Sequence, residues 1–167
     1  MVWIPPEPDP DDSMNLQAAD KLRQYLGNDT DFQEIYDGEI LDDDPTGISN
    51  DDGLNTDKTM KIALVIAGGS TKTATLGLRS VGTNETGNYL ALMIYLFDED
   101  RESSNKRKIV NASDKILNIL LKYQFDTTAP QMWYRMLFRD PAVTYHSTNN
   151  FRQSIILMSL LNRVRNL

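Results

Sequence analysis

Residues 60–81 read MKIALVIAGGSTKTATLGLRSV, and the character of the chain changes where they begin. The run KIALVIA at 61–67 is compact and rich in strand-forming residues, and residues 71–81 alternate apolar with polar side chains. Gly68-Gly69 lies between these two parts and is a turn signal. The stretch therefore predicts a β-hairpin.

The chain after the hairpin has mostly helical spacing. Residues 89–97 are almost wholly apolar and favour a buried helix over a strand, although so short a run fits either. Residues 98–108 predict a charged loop, and three further helices follow, around 113–123, from Thr128 to 139, and from Asn150 onward. The expected fold is α+β: one β-hairpin and then a bundle of about four helices, behind an acidic, partly disordered N-terminal arm.

The first 57 residues form that arm. Residues 1–12 contain four prolines and predict no helix. Ser13 or Asp12 can cap a first helix that ends at Gly27, and Thr30 begins a short second helix. Residues 41–57 are polar and predict a mobile linker. We therefore expect an acidic arm over 1–57 and a compact basic α+β domain over 58–167.

Charge divides at the same boundary. Residues 1–57 hold 16 acids and two bases, a net charge of −14, whereas residues 58–167 hold eight acids and 15 bases, a net charge of +7. The second part is basic enough to attract a polyanion, and the first is acidic enough to compete for the same surface. A solvating acidic tail is the simpler alternative.

Composition excludes several kinds of site. There is no cysteine, so a disulfide scaffold, a thiolate metal site and a cysteine nucleophile are excluded. His146 is the single histidine, and no apolar run is long enough for a membrane span. The start has neither the basic end nor the apolar stretch of a signal peptide. We expect an intracellular, non-enzymatic protein without cofactor, catalytic residue or metal.

One enzymatic alternative rests on Gly68-Gly69. A strand that runs into glycines and then Lys72 can cradle a phosphate, because backbone N–H groups approach closely there. The residues that follow have strand character, whereas a P-loop needs a helix. A nucleotide- or phosphate-binding protein is therefore the less favoured interpretation.

Basic residues in the second part predict a groove for single-stranded nucleic acid. Several are arginines, which favour bidentate phosphate contacts. The candidate nucleic-acid-binding residues are Arg101, Lys106, Arg107, Lys108, Arg135, Arg139 and Arg152. Arg135 and Arg139 are expected on one face of a helix. The alternative is an ordinary solvated surface.

The segments 63–78 (ALVIAGGSTKTATLGL), 90–96 (LALMIYL) and 101–108, with Asn150-Phe151-Arg152, resemble in their order the N-terminal lobe of rhabdovirus nucleoproteins. The resemblance covers residues 60–167 and implies that the basic loop after the apolar helix contacts the RNA backbone. It also implies an N-terminal arm that reaches a neighbouring protomer, and the C-terminal lobe of that family has no counterpart here.

The resulting hypothesis is a viral structural or assembly protein of a nucleocapsid, located in the virion or host cytoplasm. It would form homo-oligomers through Trp3 and Ile4 on the arm and contact single-stranded RNA, with other viral proteins as further partners. The rival hypothesis is an adaptor whose acidic arm binds a host protein or another partner.

Overall fold

The computed structural model describes residues 3–43, 60–72, 83–97, 103–139, 141–146 and 151–165. Three helices and six strands lie in these ranges. In chain order they are α1 (Met14–Asn28), α2 (Thr30–Ile35), β1 (Ile40–Leu41), β2 (Met60–Lys72), β3 (Thr83–Phe97), α3 (Ser103–Lys122), β4 (Arg135–Phe138), β5 (Ala142–His146) and β6 (Phe151–Arg165).

The strands form one mixed sheet in the order β1-β2-β3-β6-β4, with β5 also paired to β6. The short β1 runs parallel to β2, and all other pairs are antiparallel. β3 and β6 pair along their full length, from Thr83 opposite Arg165 to Phe97 opposite Phe151. These two strands are therefore the centre of the sheet.

β4 and β5 act as one interrupted edge strand along β6. Phe138 lies opposite Met158, and Ala142 lies opposite Ile155. Directly after β4, the Arg139 N–H donates to the Leu157 carbonyl over 3.0 Å, which extends the contact with β6 by one residue.

Helices α1 and α3 pack against one face of the sheet. Alternate residues of three strands point into this core, because successive side chains of a strand point to opposite faces. The fully buried contributors include Leu22 and Leu26 of α1, Ile116 and Leu120 of α3, and Leu64, Leu92 and Ile156 of the sheet. Ser113 of α3 donates to Ser154 of β6 over 2.6 Å, which fixes the helix over the central strands.

The opposite face of the sheet carries a second, smaller cluster. Ala63, Tyr95 and Phe151 are buried there, and the Tyr95 and Phe151 rings lie 5.8 Å apart. Gln153 donates to the Tyr95 hydroxyl over 3.0 Å, so the polar atoms of this cluster are paired.

The expected hairpin followed by a four-helix bundle is wrong. Residues 89–97 lie in β3, not in a helix, because β3 is a central strand buried on both faces. Leu90, Leu92, Ile94 and Leu96 enter the helix-covered core, whereas Tyr95 and Met93 belong to the opposite cluster. A strand buried on both faces has a continuous apolar run, which a buried helix has as well.

Three further elements differ from expectation for related reasons. Residues 151–165 form β6, although their apolar residues also fit a helical period. The expected helix from Thr128 is a loop with a cis Ala129-Pro130 peptide, followed by β4. Conversely, residues 103–108 of the expected charged loop belong to α3, since Ile109 is fully buried and the charged residues 106–108 are exposed on the outer side of the helix.

The hairpin expected over 60–81, with its turn at Gly68-Gly69, is wrong, because β2 continues through both glycines to Lys72 and its antiparallel partner is β3, which begins at Thr83. Gly68 pairs with Tyr89 and Gly69 with Asn88, so both glycines lie within the β2–β3 ladder rather than at its turn. The phosphate-loop alternative requires these glycines in a loop, whereas the structure has them in a paired strand. The connection between the strands, residues 73–82, lies outside the described residues.

The two N-terminal helices are confirmed. Ser13 caps α1 by accepting from the Leu16 N–H, and Asp29, rather than Thr30, caps α2. Ala18, Leu22 and Phe32 are at most 1% exposed, so both helices belong to the same core as the sheet. The boundary expected at residue 57 and most of the 41–57 linker lie outside the described residues.

Replacing Leu22 by alanine should lower the free energy of unfolding by about 2–5 kcal/mol, because α1 contributes to the main core. Leu16→Ala is the matched control, since Leu16 is 42% exposed, and it should change stability by less than about 0.5 kcal/mol. Urea unfolding followed by tryptophan fluorescence measures both. Equal, small losses of unfolding free energy in the two variants would show that α1 does not belong to the folded core.

Candidate functional site

Three consecutive cations stand exposed near the start of α3. Lys106, Arg107 and Lys108, here named the basic turn, precede the buried Ile109, which anchors the helix to the sheet. Within the described part of the chain, none of the three makes an ion pair. Arg101, expected beside them, lies outside the described residues.

The outer side of α3 continues with Asn111, Lys115 and Asn118, all exposed, and Asp114 is the single acid among its exposed residues. Lys122 at the helix end differs from the other cations, because it contacts the carboxylates of Asp29 and Asp31. The hydrogen bond to Asp31, followed by the contact with Asp29, outweighs partial desolvation and raises the Lys122 pKa. The unpaired positive charge of α3 is therefore concentrated toward its N-terminal half.

The remaining predicted basic residues do not lie together in the structure. Arg135 and Arg139 are exposed along the sheet edge, not on a helix face. Arg152 is half-buried on β6 and has partners there. Arg135 lies opposite Leu161, nine residues from Arg152 along β6, which separates the two arginines by about 30 Å.

A buried ion pair joins α1 to the loop that follows α3. Lys21 and Asp126 are 2.7 Å apart, with side chains 9% and 0% exposed. Lys21 also donates to the carbonyls of Thr128 at 2.8 Å and Pro130 at 2.6 Å. Asp126 accepts from the Met132 N–H at 2.7 Å, so the two charges are closely surrounded by polar partners.

Tyr25 extends this group toward a second buried carboxylate. Its hydroxyl donates to Asp126 over 2.6 Å, and its ring stacks on Tyr123 with centroids 4.8 Å apart. The Tyr123 hydroxyl donates in turn to Asp29, which also accepts a hydrogen bond from Lys122. The chain of contacts thus ties α1, α2 and α3 to the loop before β4.

Burial alone would raise the pKa of the Asp126 and Asp29 carboxyls, but hydrogen bonds to each carboxylate outweigh it. For Asp126 the hydrogen bonds from Lys21 and Tyr25 lower the pKa below its ordinary value. For Asp29 the hydrogen bonds from Tyr123, the Phe32 N–H and Lys122 have the same effect. Burial and the hydrogen bond to Asp29 raise the pKa of Tyr123, so this hydroxyl stays a donor.

Residues 3–12, which precede α1 and are called the arm from here on, pack against α1 of the same chain. Trp3 and the buried Pro5 lie against Gly27, where a Cβ atom would come within 3.2 Å and 3.0 Å of their side chains. Gln17 donates to the carbonyls of Pro10 at 3.3 Å and Asp12 at 2.7 Å. Trp3 is thus partly buried against its own chain, whereas Ile4 is 85% exposed.

A pocket of about 370 Å³ lies between the arm, α1 and the cis-proline loop, and is named here the arm pocket. Glu7, Pro8 and Pro10 form the arm side, and Pro130 and Met132 form the loop side. Lys21 and two glutamines of α1 lie between them.

Sequence reasoning missed Lys21, Asp126 and Tyr25. Lys21 and Asp126 are more than 100 positions apart in the chain, and no spacing or motif connects them. The one available signal was that Lys21 and Arg23 are the sole bases among 16 acids in the first 57 residues. Arg23 is buried too and pairs with Asp20 and Asp42.

No group of three or more metal-ligating side chains occurs among the described residues. In the same part of the chain, no helix has an apolar stretch long enough to cross a bilayer. No family model matches the sequence, and no curated protein is significantly similar to it.

Gly27→Ala should loosen the arm, because the new methyl group collides with Pro5 and Trp3. We expect the indole N–H resonance of Trp3, assigned with Trp3→Phe, to move toward its position in an unfolded chain. Asn28→Ala, one residue further on an exposed position, is the control and should leave the resonance in place. An unchanged Trp3 signal in Gly27→Ala would contradict the packing of the arm.

Asp126→Asn should destabilise the protein by about 3–5 kcal/mol at neutral pH, because it leaves Lys21 buried without its counter-charge. The pKa of Asp126 is lowered on folding, so its contribution is complete above the ordinary value of 3.8 and is lost as pH falls through the folded value. The difference between wild type and variant should therefore narrow in acid.

Urea unfolding at a series of pH values measures that difference. Glu34→Gln, which neutralises an exposed carboxylate of α2, is the control and should cost less than about 0.5 kcal/mol. A wild-type advantage that is the same at every pH would show that the Asp126 charge contributes nothing.

Proposed function

We propose that this protein is a non-enzymatic structural or assembly protein that self-associates and contacts single-stranded RNA through α3. The observation that supports this most is the basic turn: three exposed cations without an ion pair in the described part of the chain. Lys115, two turns further on, extends the positive charge along the same helix. A viral nucleocapsid is the setting that the resemblance to nucleoproteins implied.

The placement of the positive charges supports contact with the phosphate backbone of the RNA rather than recognition of its bases. The basic turn stands on a rigid helix anchored by Ile109, Ile116 and Leu120, each fully buried. Lysine and arginine on such a surface neutralise phosphates without regard to sequence, and they release counter-ions as they do so. The expected binding is therefore salt-dependent and largely independent of base sequence.

Self-association through the arm now rests on Ile4. Trp3 is partly buried against Gly27 of its own chain, so its removal would disturb folding as well as any contact between copies. Ile4 points outward at 85% exposure and is the residue of this pair that a neighbouring copy can contact directly.

A second candidate is a partner-binding adaptor. Glu7, Asp9, Asp11 and Asp12 are exposed on an arm that is held in place by α1 and contains no base among residues 3–12. An ordered acidic surface of this kind suits a basic partner protein. This function takes the lead if the chain fails to bind RNA.

Replacing Arg107 and Lys108 together by glutamine should weaken binding of single-stranded RNA at low salt. The dependence of the logarithm of affinity on the logarithm of salt concentration should become shallower by about 1.4, since each phosphate contact contributes about 0.7. Fluorescence anisotropy with a labelled unstructured RNA measures both quantities on the full chain.

The double variant Arg135→Gln, Arg139→Gln removes the same charge from the sheet edge and is the matched control. It should change the salt dependence less than the α3 variant does. A larger effect of the sheet-edge variant would move the RNA contact away from α3, and absence of binding at low salt would defeat the RNA proposal.

A further inference from the structure

We propose that the arm pocket receives the basic turn of a second copy of this chain, so that copies join head to tail. The inference rests on the self-association in the proposed function and names the two surfaces that meet. It differs from the Ile4 contact, because it depends on charge.

The charges around the arm pocket favour a cationic guest. Its own cation, Lys21, is already surrounded by Asp126 at 2.7 Å and by two carbonyl oxygens, and so offers no positive charge to a ligand. Glu7 at the arm side is exposed and makes no ion pair within the described residues. The neighbouring arm residues add acids and no base, so the local field is negative.

The walls of the pocket suit the long side chains of the basic turn. Pro8, Pro10, Pro130 and Met132 present apolar surface, against which the aliphatic stem of lysine or arginine packs while its charged end reaches a carboxylate. A volume of about 370 Å³ lies within the range of about 300–1,000 Å³ typical of ligand sites. The pocket therefore accepts a side chain with part of its neighbours.

A chain cannot place its own basic turn in its own pocket. Arg107 and Lys122 are 15 residues apart on α3, which is about 22 Å along a helix. The pocket adjoins the C-terminal end of that helix, because its Lys21 contacts Asp126, which also accepts from Tyr25, and Tyr25 stacks on Tyr123 directly after α3. The two surfaces can therefore meet only between copies.

The geometry of such a contact has a consequence for assembly. The pocket and the basic turn are different surfaces, so the interface is heterologous, and an open row of copies keeps one free pocket at one end and one free basic turn at the other. RNA and the arm pocket then compete for the same cations.

Charge reversal tests the pairing directly. Glu7→Lys and Arg107→Glu each place like charges opposite one another, and both positions are exposed, so neither change disturbs the core. In sedimentation at low salt, free of nucleic acid, each variant alone should associate about tenfold more weakly than wild type. An equimolar mixture of the two variants should recover association to within about threefold of wild type, because the reversed charges again complement each other.

Glu34→Lys on α2 and Arg135→Glu on the sheet edge carry the same charge changes outside the two surfaces and should associate like wild type. If wild type associates but the mixture shows no recovery, the pocket proposal fails while self-association stands. If wild type is a monomer under every condition, both fail, and the RNA titration still reports separately on the RNA contact.

Discussion

The rest of the structure depends on the burial of residues 90–96 of β3 on both faces of the sheet. β2 and β6 flank it along its length, the helices cover one side and a small aromatic cluster forms on the other. Burying an apolar strand on both faces contributes about 25 cal/mol for each Å² removed from water, which gives a central strand a large share of the stability. α3 then has one place to pack, across β3 and β6, and this sets the direction of its outer, basic side.

Opposite charges lie in neighbouring parts of the same helical layer. The acids of the first 43 residues lie on and around α1 and α2. Among the described residues, the ion pairs that join these acids to α3 are those of Lys122 with Asp29 and Asp31. The two bases of the acidic part, Lys21 and Arg23, are buried and paired, so they do not reduce the negative charge at the surface. This division of charge is the feature on which both proposed functions rest.

Lys21 links the fold to the arm pocket. Its ammonium group fixes the cis-proline loop to α1 through Asp126 and two carbonyl groups, while Gln17, one turn earlier, fixes the arm. The pocket exists because both segments are held against the same helix. Such a buried pair is tolerated only while both charges are present, since removing one of them leaves an unpaired buried charge that lowers the stability of the fold.

The sequence by itself determined the local features. The Ser13 cap, the two helices that follow it and the strand character of 61–67 follow from residue type and short-range spacing, and each is found in the structure. The division of charge follows from counting residues alone. The exposed cations at 106–108 were also recognisable as candidates, because charged residues rarely bury.

Only the tertiary structure decided which apolar segments are strands. Residues 89–97 and 151–165 fit either a buried helix or a buried strand, and the choice depends on their pairing with each other across more than 50 residues. The same holds for the site: Asp126 meets Lys21, and the arm meets the cis-proline loop, through contacts between distant parts of the chain. Periodicity reports which side of an element is buried but not which partner buries it, and that physical limit separates what could be predicted here from what could not.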